Sequence, residues 1–196
     1  MNKGSKIIIG VVGIGVAALA TQSMAAAQFY GIAGVTYGQT LFHKDLVGAG
    51  MTKGNLDNQG AGFALGLGYK ISDELSIEMA YRKNHDVNNN TSDKLLMEHD
   101  NSESVLIKIA SPHSVGGFNP YFGVGSQYTR YKADEAFDYK GRTIAVGDHA
   151  AWSPLVALGA NWSVGKTTVY LGGTYTIQNR DVPAGYAAEG GINFSA

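Results

Sequence analysis

Residues Gly62 to Arg82 read GFALGLGYKISDELSIEMAYR, and the parity of this stretch decides the fold. In its second half Leu75, Ile77, Met79 and Tyr81 fall on one side, and Glu74, Ser76, Glu78, Ala80 and Arg82 on the other. Its first half sets Phe63, Leu65, Leu67, Tyr69 and Ile71 against Ala64, Gly66, Gly68 and Lys70. A period of two marks a strand with two different faces. The two-residue polar break Ser72-Asp73 then predicts a tight antiparallel hairpin. In a soluble sandwich the polar face meets water and the apolar face is the core. Here the bulky face ends in aromatics and the other is mostly Gly, Ala and Ser with a few charges. That suits a narrow barrel turned inside out, greasy toward lipid and small and polar within.

The rest of the chain repeats the pattern. Phe29–Gly38 alternates, with Phe29, Gly31, Ala33, Val35 and Tyr37 on the outer parity. Ser104–Ala110, Pro120–Lys132, Trp152–Trp162, Val169–Gln178 and Tyr186–Phe194 supply five more strands, eight in all. The connections alternate in length. Thr40–Gln59, Lys83–Ser102 and Ala133–His149 are long, while Ser72-Asp73, Pro112–Asn119 and Ser163–Lys166 are short; Asn179–Gly185 is a modest loop. Outer-membrane barrels have this layout, with short periplasmic turns and longer extracellular loops. The fold class expected is an all-β, eight-stranded, antiparallel up-and-down transmembrane β-barrel.

The aromatics give an independent test. On the outer parity they stand near strand ends: Phe29 and Tyr37, Tyr69, Tyr81, Phe122 and Tyr128, Trp152 and Trp162, Tyr175, Tyr186 and Phe194. Tilted strands climb roughly 2.5 Å per residue, so about eight to ten residues cover a ~25 Å apolar band. Phe29–Tyr37, Trp152–Trp162 and Tyr186–Phe194 have that separation. A soluble barrel has no reason to place aromatics in two belts.

Met1 to Ala27 reads as a cleaved secretory signal peptide: Lys3 and Lys6, an apolar run Ile7–Ala20, then small residues. The run is shorter than the ~20 residues of a membrane span. The barrel would then be 28–196, with 13 basic residues (15 less Lys3 and Lys6) against 16 acidic ones. That balance is no nucleic-acid profile. The chain has no Cys, so an exported domain must be stabilised by packing or closure, not by disulfides. Its 27 glycines in 196 residues are about twice the usual ~7%, which fits glycine-rich strands.

At this point the chain resembles the small outer-membrane barrels of the OmpA transmembrane domain, OmpX/Ail and opacity-protein superfamily. The carriers are FYGIAGVTYG at 29–38, GLGYKISDELSIEMAYR at 66–82, PYFGVGSQY at 120–128 and GGINF at 190–194. The resemblance implies a monomer in the bacterial outer membrane, in contact with outer-membrane lipids and lipopolysaccharide and delivered by the barrel-insertion machinery. It also implies a host or surface ligand bound through the loops. Family members usually end on an aromatic; here Phe194 is followed by Ser195-Ala196. No hinge and peptidoglycan-binding domain follow, so a tethering role is not expected.

An eight-stranded barrel is just wide enough for its inward side chains to fill. Inward parity gives Lys70, Glu78, Arg82, Lys108 and Glu189, read as a lumen polar network, because charges without bulk water must be paired. Glu78 and Lys108 lie at similar heights on adjacent strands, so a cross-strand ion pair is expected. The network either packs the lumen or gates a narrow, porin-like pore. No catalytic residue, metal site or cofactor is expected. His43, His85, His99, His113 and His149 fall in loops or turns, and His85-Asp86 and His99-Asp100 read as part of a solvated acidic loop. A lipid A-modifying enzyme would need a Ser/His site at a strand's outer end, which the sequence lacks. Function should sit in the loops. Arg130, Lys132, Lys140 and Arg142 are the basic residues placed to contact lipopolysaccharide phosphates. Leu95-Leu96-Met97 is either an exposed contact or a strand running past the membrane.

Overall fold

The computed structural model describes residues 29–41, 56–57, 59–83, 86–89, 94–134, 136–139, 142–165, 167–178 and 183–195. The stretch read as a signal peptide lies outside the described residues. Eight long strands form the molecule: β1 Phe29–Leu41, β2 Gln59–Lys70, β3 Leu75–Lys83, β4 Lys94–Ala110, β5 Phe118–Ala133, β6 Gly147–Val164, β7 Thr167–Thr176 and β8 Ala184–Ser195. Each pairs antiparallel with its neighbours in the chain, and β1 pairs with β8 from Tyr30↔Ser195 to Leu41↔Ala184. The sheet therefore closes into an all-β, eight-stranded barrel with no free edge among these strands. Closure is what lets backbone N–H and C=O groups cross hydrocarbon with every partner supplied internally.

The expected parity is inverted relative to a soluble protein. Val35 is 69% exposed and Leu171 71%, whereas Arg82, Lys108 and Glu189 are each below 10%. The inward face is polar but not wholly so: Ile32, Leu106 and Leu155 are buried there beside Ser153 and Thr129.

The inner glycines have a specific use. Three tyrosines lie flat along the wall, each over a glycine on a following strand. Tyr30 on β1 covers Gly68 on β2; Tyr121 on β5 covers Gly159 on β6 and Gly172 on β7; Tyr170 on β7 covers Gly191 on β8 and Gly34 on β1. A Cβ at any of these glycines would run into the ring or the facing backbone. All three rings lean the same way around the barrel. Outside, the Phe194 ring lies over Gly31 at the β1–β8 seam.

The structure corrects several boundaries. The hairpin turn spans four residues, Ile71 to Glu74, closed by Ile71 and Ser72 N–H groups donating to Leu75 O at 2.8 and 3.1 Å. Ser72 Oγ accepts from the Leu75 N–H at 3.1 Å, so the polar break does its work as a side-chain cap, with Ile71 pulled out of the strand. Strand β4 begins at Lys94, inside the segment read as a loop, and β5 begins at Phe118 within the expected turn. The third loop carries a small hairpin, Phe137–Tyr139 with Arg142–Ile144. Short strands Leu56–Asp57 and Val87–Asn89 extend the sheet on the outside of β4. Parity does not reveal these segments, because beyond the membrane neither face of a strand has to be greasy and the two-residue alternation lapses. Leu95-Leu96-Met97 is backbone of β4 running past the membrane, with Met97 opposite Ala133.

Candidate functional site

The lumen and the extracellular rim carry the chemistry. Inside, the sheet puts Glu78 on β3 beside Lys108 on β4, with Nζ to Oε1 at 2.9 Å. The Tyr30 hydroxyl donates to the same Oε1 at 2.7 Å, and the Lys108 ammonium stands 4.0 Å from the Tyr121 ring centroid and 5.7 Å from that of Tyr170. A cation over ring faces gains from the quadrupole where water is scarce. One layer nearer the outside, Arg82 on β3 meets Glu189 on β8: Nε to Oε1 at 2.8 Å and Nη2 to Oε2 at 3.3 Å. β3 and β8 are not ladder neighbours, so this bidentate pair crosses the lumen. Ser104 Oγ accepts from Arg82 Nη1 and itself donates to Ala80 O at 3.4 Å; Thr174 Oγ1 donates to Glu189 Oε1 at 3.3 Å. Ser104 and Thr174 share the inner parity of their strands, but nothing local in the sequence marks them as partners of a pair formed across the barrel. Lys70 is not brought to this cluster. It is exposed at the periplasmic mouth.

Among the described residues, three spaces lie above, between and below these two layers. A cavity of about 70 Å³ lies above Arg82, walled by threonines 36, 40, 129, 174 and 176. One of about 20 Å³ lies between the two ion pairs. A third, of about 110 Å³, opens at the periplasmic turn beyond Lys108. The middle space holds roughly one water.

The outer surface carries two aromatic belts. On the periplasmic side Phe29 packs on Tyr69 (centroids 4.8 Å apart) and Phe118 on Trp162 (5.5 Å), with Phe194 beside them at the seam. On the extracellular side Phe63 packs on Tyr81 (6.2 Å) and Tyr128 on Trp152 (5.2 Å). Tyr37 donates to Gln59 Oε1 at 3.3 Å, Tyr186 donates to Gln39, and Tyr175 sits opposite Tyr186 in the ladder. Phe63 and Phe118 were not among the belt residues named from sequence. Phe122 stands deeper, opposite Leu158 and Ile109, because β5 starts earlier than its turn residues implied.

Just above the extracellular belt, outward on β5, lie Arg130 and Lys132. Arg130 is ion-paired with Glu103 on β4, and Lys132 Nζ meets Asp134 Oδ1 at 2.9 Å. The Asp134 hydrogen bond, with the charges of Asp134, Glu98 and Asp148, holds the Lys132 ammonium above the usual lysine range. Both basic groups are thus already engaged by carboxylates. Lys140 lies outside the described residues, and Arg142 is described only as backbone of the small hairpin. His149 stacks on Tyr131 at 5.2 Å and bonds Ala145 O at 2.7 Å, while His113 lies in a periplasmic turn. His43 and His85 lie outside the described residues, and His99 is described only as β4 backbone. Among the described residues no group of three His, Asp or Glu side chains is placed to hold a metal ion.

Residues 24–176 match the family described as the OmpA-like transmembrane domain. The match stops at the end of β7, although β8 is the strand that closes the barrel. Among solved structures the chain is similar to Neisserial surface protein A (TM-score 0.54, 13% identity, covering 86% of this chain and 97% of that one). It is similar also to the N-terminal β-barrel domain of OprF from Pseudomonas aeruginosa (TM-score 0.52, 11% identity, 85% and 98%). The attachment invasion locus protein Ail of Yersinia pestis is a more distant likeness (TM-score 0.47, 15% identity, 85% and 99%). At these identities the likeness is one of fold. No curated protein sequence matches.

Proposed function

The chain belongs to the OmpA-like transmembrane domain family and is a β-barrel of the bacterial outer membrane; on that premise we propose that it is a non-enzymatic, monomeric surface protein. In this reading it stabilises the outer leaflet and recognises a surface or host partner through its extracellular extensions. The observation that carries the reading is an asymmetry of strand length. β4, β5 and β6 run 17, 16 and 18 residues, whereas β3 and β7 run 9 and 10. About eight to ten residues cross the apolar band, so one side of the barrel lifts a paired, three-stranded wall well clear of the membrane. A rigid wall lowers the ordering cost of binding a partner.

Lipopolysaccharide is the nearest ligand. Arg130 and Lys132 stand at headgroup height, and Glu103 and Asp134 fix where their charges sit. A guanidinium has five N–H donors in a fixed fork, so the Glu103 pair orients Arg130 while phosphate oxygens approach its other edge. Lys140 and Arg142 belong to the same proposal through their place in the third loop. The barrel-insertion machinery is the partner proposed for assembly.

The test is a binding assay with intact cells or barrels in lipid nanodiscs. Replacing residues 136–145 by a short turn is expected to abolish partner capture and leave heat-modifiable gel migration unchanged. Undiminished capture would sink the recognition role. A second reading, a narrow gated pore, is favoured only by the polar lining of the three lumen spaces. The ~20 Å³ middle space argues against it unless the pairs move.

A further inference from the structure

The periplasmic mouth of the lumen has an arrangement that neither packing nor surface recognition uses. Asn161 on β6 and Asn193 on β8 point inward on either side of β7, opposite Tyr170 and Thr168 in the ladders. Both side-chain carbonyl oxygens are buried and, among the described residues, have no hydrogen-bond partner. Asn193 is only 9% exposed. Both residues line the same cavity of about 110 Å³, together with the hydroxyl-bearing Ser76, Ser163 and Thr168. A buried acceptor left unmade costs about 1–3 kcal/mol, and two of them in one space call for a donor-bearing occupant.

Charge selects the kind of donor. Lys70 and Lys108 line the cavity, and so do Asp73 and Glu74 of the turn. Lys108 is also held at 2.9 Å by Glu78 from the layer behind. Among the described residues, the two carboxylates Asp73 and Glu74 thus share the cavity with Lys70 and with a Lys108 already neutralised by Glu78, a net of one negative charge. A cation fits that balance, and one that carries N–H bonds also supplies the donors that the two orphaned oxygens lack. We infer that the periplasmic mouth is a binding site for a small primary ammonium group. Its N–H donors go to Asn161 and Asn193 Oδ1, and its charge is balanced by Asp73 and Glu74. The volume corresponds to three or four waters at roughly 30 Å³ each, enough for an ammonium head with a short alkyl stem. A free amine and an amine borne on a peptide share this chemistry.

The full chain, folded in detergent and ¹⁵N-labelled, would be titrated with methylammonium chloride while the Asn161 and Asn193 side-chain amide signals are followed. A saturable shift of both is expected. Tetramethylammonium chloride, which has the charge but no N–H, is expected to leave them in place at the same concentration. Asn193→Leu removes a hydrogen bond to a charged group and is expected to weaken binding about tenfold or more. The pair Asp73→Asn with Glu74→Gln lies in the exposed turn, cannot disturb the lumen packing, and is expected to weaken binding several-fold, most at low salt. Lysine amide capped at its α-amine, used as a second probe, separates the sources: tighter binding than methylammonium marks a chain-borne amine, and equal or weaker binding marks a free one. Shifts that do not saturate, as with water alone in the cavity, would overturn the site. So would equal shifts with the two salts, or wild-type affinity in a folded Asn193→Leu barrel.

Discussion

Arg82 and Glu189 show what a charge does in a lumen without bulk water. Each is below 10% exposed, and each has its strongest partner in the other. Removing one leaves a buried, uncompensated charge, so Glu189→Leu is expected to lower stability by about 3–5 kcal/mol. The double variant Arg82→Met with Glu189→Leu should recover much of that loss, because a well-packed apolar pair of similar volume is often neutral. Urea unfolding in lipid vesicles measures both; a double variant no better than the single one refutes the account. The glycines give a second contrast. A Cβ at Gly191 would meet the Ala33 carbonyl oxygen first, then Gly34 Cα at 2.6 Å and the Tyr170 ring carbon Cε1 at 2.8 Å, so its first obstacles are backbone; at Gly34 the obstacle is chiefly the Tyr170 hydroxyl. Overpacking costs about 1–3 kcal/mol. Gly34→Ala should therefore be relieved by Tyr170→Phe, which deletes that oxygen, and Gly191→Ala should not. Equal relief in the two would show that the Tyr170 ring does not clasp the seam. The inner position of all these residues was legible in the alternation of the sequence. Glu78 with Lys108 was legible too, because adjacent strands fix relative height. The Arg82–Glu189 pair was not: it depends on which strands face each other across the closed barrel, which parity along one strand does not encode.

At the level of elements, β4, β5 and β6 differ from the rest by projecting beyond the membrane. Within the apolar band one face of each strand must be greasy, and that made them readable. Above it the constraint vanishes. KLLMEHDNS at 94–102 keeps no two-sided pattern, so the alternation alone does not separate a loop from a strand running past the membrane. What holds it as strand is pairing: Met97↔Ala133, Glu98↔Lys132 and His99↔Tyr131 continue the ladder, with a shift of register between His99 and Asn101. The rim ion pair belongs to this wall; the Glu103 carboxylate orients Arg130, and its charge repels a phosphate at the guanidinium's other edge, whereas a glutamine amide there keeps the acceptor and drops the repulsion. Glu103→Gln is therefore expected to strengthen lipopolysaccharide binding several-fold and Arg130→Gln to weaken it, each by about 1 kcal/mol at a partly exposed site. The amount of lipopolysaccharide retained by the detergent-purified barrel reads both changes. Opposite signs are required; weakening in both would make the pair a structural bond and take Arg130 out of the ligand site.

For the whole molecule the deciding quantity is whether closure of the wall is matched by closure of the lumen. The sheet has no free edge among its eight long strands, so lipid and water are separated by a continuous hydrogen-bonded surface. Its interior is interrupted at two heights, by Lys108 with Glu78 and by Arg82 with Glu189, leaving a chamber of about 20 Å³ between them. A monovalent ion crossing there would shed its water and break a buried pair, a barrier of several kcal/mol. The protein reconstituted in planar bilayers is therefore expected to show no steady current. Truncating both members of the crossing pair, Arg82→Ser with Glu189→Ser, joins the upper and middle spaces, and adding Lys108→Ser with Glu78→Ser joins the lower one. Only the fourfold variant should conduct ohmically, because either pair alone is enough to block the path. A steady current through the unaltered barrel that disappears on changing Glu78 or Lys108 would reverse the assignment. The two ion pairs would then be the working parts of a channel, and the outer wall its accessory.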